Sequence, residues 1–140
     1  MAQVEVTRIS AYGLLIDRGH LLLCRLSDGL PQAGMWTLPG GGLAFGEHPE
    51  AGMIREVEEE TGLVVSSAGL AGIDSFRHDV PERSFHGVRI IYHANVIGGV
   101  LRNEQQGSTD MCQWQPLHAL ARLGIVDLVE VALPMVQRGA

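Results

Sequence analysis

The chain has 140 residues, 46% of them hydrophobic, and a formal net charge of −6 at pH 7. This size and composition predict one domain, residues 1–140, with an apolar core. The acidic balance argues against binding to a nucleic acid polymer, which needs a basic surface, but a bound metal ion would still allow a small anionic substrate. The N-terminus has no apolar signal-peptide core, and no run approaches 18 apolar residues. We therefore expect a soluble cytoplasmic protein without a membrane partner.

The first forty residues are rich in apolar and β-branched residues, and turn signals divide them. Arg18-Gly19 marks a turn, and residues 27–34, with two glycines and a proline, indicate a loop. The apolar run at 20–26 is typical of a strand buried on both faces. These features predict strands at residues 4–17, 20–26 and 35–38. Three glycines at 40–42 then predict a flexible bend, where the backbone can approach an ion closely.

A helix is predicted after this bend. Pro49 suits the first helical position, and Gly62 is a plausible stop. At 100° per residue, Ile54 and Val57 fall on one side, while three glutamates fall on a neighbouring arc.

The same signals extend to the end of the chain. We expect strands at residues 63–76, 88–96 and 111–114, polar loops at 77–85 and 103–110, and helices at 116–123 and 125–136. This order predicts an α+β fold, with a mixed sheet that carries helices on its faces.

The acidic residues of the central helix are closely spaced. Glu56 lies three positions before Glu59 and four before Glu60, and like charges at these spacings destabilise a helix by a few tenths of a kcal/mol per pair. Clustered carboxylates suit a hard cation such as Mg²⁺, with Mn²⁺ as a possible substitute, because both prefer oxygen ligands. A solvated acidic face is the alternative interpretation.

The residues around this cluster form a longer pattern. It comprises Gly41, Glu47, Arg55-Glu56-Val57, Glu59-Glu60 and Gly62-Leu63. This pattern resembles the Nudix box at every specified position and covers about a sixth of the chain. The resemblance implies an α/β/α sandwich with the box as a loop-helix-loop on one side of the mixed sheet.

The resemblance also implies roles for individual residues. The metal ligands would be Glu56, Glu59, Glu60 and the backbone carbonyl of Gly40. Either Glu56 or Glu59 would be the general base. Arg55 would orient the acidic cluster through ion pairs, and Glu47 would support it. A further acidic residue joins the site in many family members, and the candidates here are Glu104 and Asp110; two solvated loop acids are the alternative.

Candidates for substrate contacts are less specific. Arg25, at the end of a predicted strand, could bind a phosphate, or it could be a surface residue. Trp36 could stack on a base, or it could belong to the core. Gly41, at the start of the box, is a further candidate for a substrate contact.

The resemblance implies hydrolysis of a pyrophosphate bond in a nucleoside diphosphate derivative. We expect a (deoxy)nucleoside triphosphate that gives the monophosphate and pyrophosphate. An ADP-ribose or dinucleoside polyphosphate hydrolase is the first alternative, and a non-catalytic nucleotide-sensing domain is the second. A homodimer is possible.

Overall fold

The computed structural model describes residues 3–104 and 106–136. Eight strands lie within these ranges: β1 Val4–Leu14, β2 Ile16–Asp17, β3 His20–Leu26, β4 Trp36–Thr37, β5 Gly40–Gly42, β6 Leu63–Val80, β7 Arg83–Gly99 and β8 Thr109–Pro116. The α-helices described are α1 Pro49–Thr61 and α2 Asp127–Ala132, and two 3₁₀ segments span Leu117–Arg122 and Leu133–Met135.

The strands are arranged in two sheets. The first has the order β5-β1-β7-β6; β1 and β7 run parallel, and the two outer pairs are antiparallel. In the second sheet, β3 pairs antiparallel with β2, β4 and β8. The first sheet is therefore mixed, as the sequence predicted, whereas nothing in the sequence indicated that the other strands form a sheet of their own.

Two apolar clusters lie on opposite sides of the first sheet. Met53 and Val57 of α1 pack with Ala11 and Val65 in one cluster. Leu128 and Val129 of α2 belong to the other, together with Leu14 and Ile91. Since neighbouring strand residues point to opposite faces, the sheet is covered by a helix on each face. The predicted α+β class and α/β/α sandwich are confirmed.

Two segments predicted as a bend and a loop belong to strands in the structure. Gly40–Gly42 is a short strand, because Ser10, Ala11 and Tyr12 of β1 pair with it. The loop predicted at 77–85 is wrong: β6 continues to Val80, and β7 begins at Arg83, so that only Pro81 and Glu82 turn the chain. The polar side chains of this stretch lie on a hairpin, where solvent exposure is compatible with strand pairing.

The end of the chain is also less helical than predicted. Within 125–136, α2 has six residues, and a 3₁₀ turn containing Pro134 follows it. The proline has no backbone N–H and cannot continue the helical bonds. The segment predicted as a helix at 116–123 is a 3₁₀ helix over Leu117–Arg122. In the loop predicted at 103–110, Thr109 already belongs to β8, and Gln105 lies outside the described residues.

Across the two described ranges, no helix has the length and apolar character needed to cross a bilayer.

Candidate active site

Both ends of α1 are fixed by local hydrogen bonds. At its start, the backbone N–H of Glu50 donates to Nδ1 of His48 at 3.1 Å. At its end, Gly62 adopts φ 79°, and its N–H donates to the carbonyl of Glu58 at 2.8 Å. Glycine reaches this left-handed conformation without a Cβ clash. With Met53 and Val57 buried, the helix cannot rotate freely, so its glutamates are held beside β5.

Glu60 is the most deeply buried of these carboxylates. Glu60 is only 4% exposed, and its Oε2 accepts a hydrogen bond from the backbone N–H of Gly40 at 3.0 Å. Burial raises the pKa of Glu60 to about 8; the Gly40 hydrogen bond opposes this shift, and the nearby carboxylates of Glu56 and Glu104 add to it. Without a cation, this group is therefore largely protonated at neutral pH.

Glu56 lies against the same strand. A Cβ on Gly41 would be 2.9 Å from Glu56 Oε2, so a side chain at this position would displace the Glu56 carboxylate. Burial raises the pKa of Glu56, although the charge of Arg55 and its hydrogen bond favour the ionised form. Two carboxylates of α1 thus converge on the glycines of β5.

Arg55 joins the remaining acidic residues. Its Nε and Nη2 donate to the two carboxylate oxygens of Glu47 at 2.8 and 2.9 Å, and its Nη1 donates to Glu56 at 3.1 Å and to Glu59 at 3.2 Å. Nη2 also reaches the carbonyl of Gly42 at 3.3 Å. The hydrogen bond from Arg55 lowers the pKa of Glu47 to about 2. Arg55 therefore links the loop before α1, the helix and β5.

The acidic cluster offers ligand atoms that suit a hard divalent cation. Every side-chain ligand atom that the glutamates offer is a carboxylate oxygen, which Mg²⁺ and Mn²⁺ prefer. As the side chains stand, however, no three His, Cys, Asp or Glu groups in residues 3–104 and 106–136 converge closely enough to hold one ion. Arg55 Nη1 is bonded to both Glu56 and Glu59. The Glu59 side chain is 51% exposed, so packing does not hold it in one rotamer.

A cavity of about 300 Å³ opens beside Glu60 and the glycines of β5. It extends over the first sheet toward β6, across three strand spacings, or about 14 Å. The side chains that line it from the other three strands include Arg8, Ser10, Tyr12, Phe76, Phe85 and Arg89. The rings of Phe76 and Phe85 have centroids 5.8 Å apart, and the Arg89 guanidinium lies 4.9 Å from the centroid of Phe76.

Nothing in the sequence singled out these lining residues. Arg8, Ser10 and Tyr12 alternate along β1, so a period of two indicates a shared face. The pairing that brings this face beside Arg89 and Phe76 is parallel and joins residues about eighty positions apart, as between Ser10 and Arg89. No local pattern predicts such a pairing.

Several predicted substrate residues lie elsewhere. Arg25 Nε donates to Asp110 Oδ1 at 2.8 Å, so these two neutralise each other, and neither lines the cavity. Trp36 is 8% exposed and packs in the α2 cluster, also outside the cavity lining. Gly41 lines the cavity. Of the two loop acids, Glu104 is the one whose charge raises the pKa of both Glu56 and Glu60.

Comparison with known proteins agrees with this geometry. A family model described as the NUDIX domain matches residues 6–135. The chain belongs to the Nudix family. The structure of a MutT NUDIX hydrolase from Burkholderia pseudomallei superposes with a TM-score of 0.82 and 26% sequence identity, over 94% of this chain and 99% of that one. The resemblance inferred from the box is confirmed.

Relatives of known name within the Nudix family differ in their substrates. An ADP-ribose pyrophosphatase of Methanocaldococcus jannaschii is 32% identical over 90 residues, which cover 63% of this chain and 51% of the relative. An 8-oxo-dGTP diphosphatase of Proteus vulgaris is 42% identical over 50 residues, or 36% of this chain and 43% of the relative. The chain spans about half the length of the curated relatives it matches.

Proposed function

We propose that this Nudix domain hydrolyses a pyrophosphate bond in a nucleoside diphosphate derivative and needs Mg²⁺, which Mn²⁺ can replace. The observation that carries the proposal is the convergence of Glu56 and Glu60 on the β5 glycines, which line one end of the cavity together with Glu60. A polar, acidic end and an aromatic end suit a ligand that has phosphates at one side and a planar base at the other.

The cation, once bound, would neutralise phosphate charge and polarise the P–O bonds. Glu56, Glu59 and Glu60, with the carbonyl of Gly40, are the groups that would hold it. Arg55 acts as a positioning residue, because it fixes Glu47, Glu56 and the box loop relative to one another. Glu104 is the loop acid we favour as a further member of the site, since its charge raises the pKa of both Glu56 and Glu60, whereas Asp110 is paired with Arg25.

Glu56 is the general base we favour. Its side chain is 17% exposed, whereas that of Glu59 is 51% exposed. Partial burial raises the pKa of Glu56, which makes its carboxylate a better proton acceptor. Glu59 remains the alternative base.

For the substrate we favour a (deoxy)nucleoside triphosphate, hydrolysed to the monophosphate and pyrophosphate. The name of the Proteus vulgaris relative supports this choice. ADP-ribose is the second candidate, supported by the name of the Methanocaldococcus jannaschii relative. Dinucleoside polyphosphates are a further alternative. A nucleotide-sensing domain without activity is the last, and the complete set of box carboxylates argues against it.

The test is a panel of these compounds with Mg²⁺ or Mn²⁺, in which each product is identified. We expect Glu56→Gln to lower kcat roughly 10²- to 10⁴-fold, because it removes a base and a ligand. Glu58→Gln is the matched control: it removes the same charge from an exposed position of the same helix. A Glu56→Gln protein as active as the wild type would refute the catalytic assignment. A wild type that binds nucleotides without cleaving any would favour the sensor.

The cytoplasmic location and the homodimer remain predictions from the sequence. The acidic net charge of −6 supports a small-molecule partner over a nucleic acid polymer.

A further inference from the structure

Arg8 lies at the end of the cavity where β1 meets β5. It lines the cavity together with Glu60 and the β5 glycines. A Cβ on Gly42 would collide with the Arg8 guanidinium, so this group lies against the backbone of Gly42. Ser10, two residues along β1, is the register partner of Gly42. The guanidinium is therefore next to the strand on which Glu56 and Glu60 converge.

The two arginines of the cavity differ in their partners. Arg89 is 9% exposed and pairs with Asp74 and Asp127, so its charge is already balanced. Arg8 is exposed, and it has no ion pair or side-chain hydrogen bond within residues 3–104 and 106–136. All ten Lys and Arg positions of this acidic chain are arginines. Arg8 is thus a cation left available on the cavity wall of a chain with a net charge of −6.

We propose that Arg8 binds a phosphate group of the substrate and so contributes to the choice of substrate. The inference rests on the proposed function and extends it. Glu60 lines the end of the cavity where Arg8 lies, and Glu56 reaches Gly41 of the same strand. A diphosphate or triphosphate bound there adds further negative charges. One divalent cation cannot balance them all. A planar guanidinium can donate two parallel N–H bonds to phosphate oxygens, which a hydrated ammonium does less well.

Gly42 is part of this arrangement. Its hydrogen in place of a side chain leaves the space that the guanidinium occupies. An alanine at this position would push the end of the Arg8 side chain away from β5. Arg8 and Gly42 should therefore be energetically coupled in phosphate binding.

The first experiment measures binding of imidodiphosphate, a pyrophosphate analogue that resists hydrolysis, by calorimetry in Mg²⁺. We expect Arg8→Ala to weaken binding roughly ten- to hundredfold, the range for a hydrogen bond to a charged group. Arg8→Lys should restore only part of the loss. Arg122→Ala is the matched control, because it removes the same charge from an exposed residue that does not line the cavity.

The second experiment uses Gly42→Ala alone and combined with Arg8→Ala. We expect Gly42→Ala to weaken binding in the wild type but to have little further effect once Arg8 is absent. With a hydrolysed substrate, Arg8→Ala should raise KM and change kcat by less than about threefold, since the contact is made in the ground state and the transition state alike.

Equal binding by Arg8→Ala and Arg122→Ala would overturn the inference, as would a wild type that does not bind imidodiphosphate. Additive effects of Gly42→Ala and Arg8→Ala would also contradict it. Because binding is measured without turnover, this failure is separate from failure of the hydrolase proposal, which the Glu56→Gln assay decides.

Discussion

At the residue scale, the site is dominated by carboxyl groups in unlike surroundings. Glu47 forms two hydrogen bonds with Arg55, which keeps its pKa near 2. Glu60, thirteen positions later in the sequence, has a backbone N–H as its partner, and burial raises its pKa to about 8. The same residue type therefore has two charge states at neutral pH: Glu47 is ionised, whereas Glu60 is largely protonated in the metal-free protein.

The raised pKa of Glu60 predicts how stability depends on pH. From its ordinary value of 4.5 up to about 8, the folded metal-free protein holds this proton and the unfolded chain does not. The contribution of Glu60 to the free energy of unfolding should therefore be highest below pH 4.5. It should fall as pH rises toward 8, by at most about 1.4 kcal/mol per pH unit.

The measurement is urea unfolding in a chelator at several pH values between 5 and 8 for the wild type and Glu60→Gln. The wild type should lose stability relative to Glu60→Gln as pH rises, because glutamine has no proton to release. Glu58→Gln, at an exposed position, should follow the wild type. Parallel curves for the wild type and Glu60→Gln would show that Glu60 titrates in its ordinary range.

The residues of the box could be predicted individually because their spacing along one helix is local. Arg55 also fits its predicted place, since its i+4 distance to Glu59 follows from helix geometry. Arg8 could not be found in this way. Its proximity to Glu60 depends on the pairing of β1 with β5 and on the packing of α1, and neither leaves a mark around position 8.

At the element scale, β5 connects the fold to the site. It consists of three glycines and pairs with β1. The Gly40 N–H donates to the Glu60 carboxylate, and the Glu56 carboxylate lies close to Gly41. A side chain at Gly40 would collide with the backbone of β1, and side chains at Gly41 and Gly42 would displace the ends of Glu56 and Arg8. The glycines provide close approach more than flexibility, which is why a run that predicted a bend forms an ordered strand.

Gly40 offers a direct test of this role. Its φ of 150° is unfavourable for other residues, and a Cβ would be 2.7 Å from Tyr12 Cα. Gly40→Ala should lower the free energy of unfolding by about 2–4 kcal/mol, from backbone strain and crowding together. Gly19→Ala is the control: it has φ 76° but no atom within 4 Å, and should cost only about 1 kcal/mol.

Chemical denaturation of both variants measures the difference. Equal losses would mean that crowding against β1 adds nothing and that β5 can move away from its neighbours.

The hairpin of β6 and β7 shows another limit of local patterns. Residues 77–85 are polar and contain a proline, so they resemble a loop, yet Arg77 pairs with His86 in the ladder. Only Pro81 and Glu82 form the turn. Strand pairing over so exposed a stretch depends on cross-strand contacts, which a single-strand pattern does not contain.

At the scale of the whole molecule, two apolar clusters fix the mixed sheet between α1 and α2. The α1 cluster holds the acidic helix against β5. The α2 cluster lies under the far wall, where Arg89 joins Asp74 of β6 to Asp127 at the start of α2. The cavity is thus supported from both sides. Sequence patterns gave the class of this fold, but its two sheets depend on contacts between distant residues.

The proposed function depends above all on the glutamates of α1 holding a divalent cation. The most direct measurement is an anomalous difference map from crystals soaked in Mn²⁺. We predict a peak bounded by Glu56, Glu59, Glu60 and the Gly40 carbonyl, with Glu59 turned away from Arg55. A map without a peak there, in which Arg55 still binds both Glu56 and Glu59, would contradict the account.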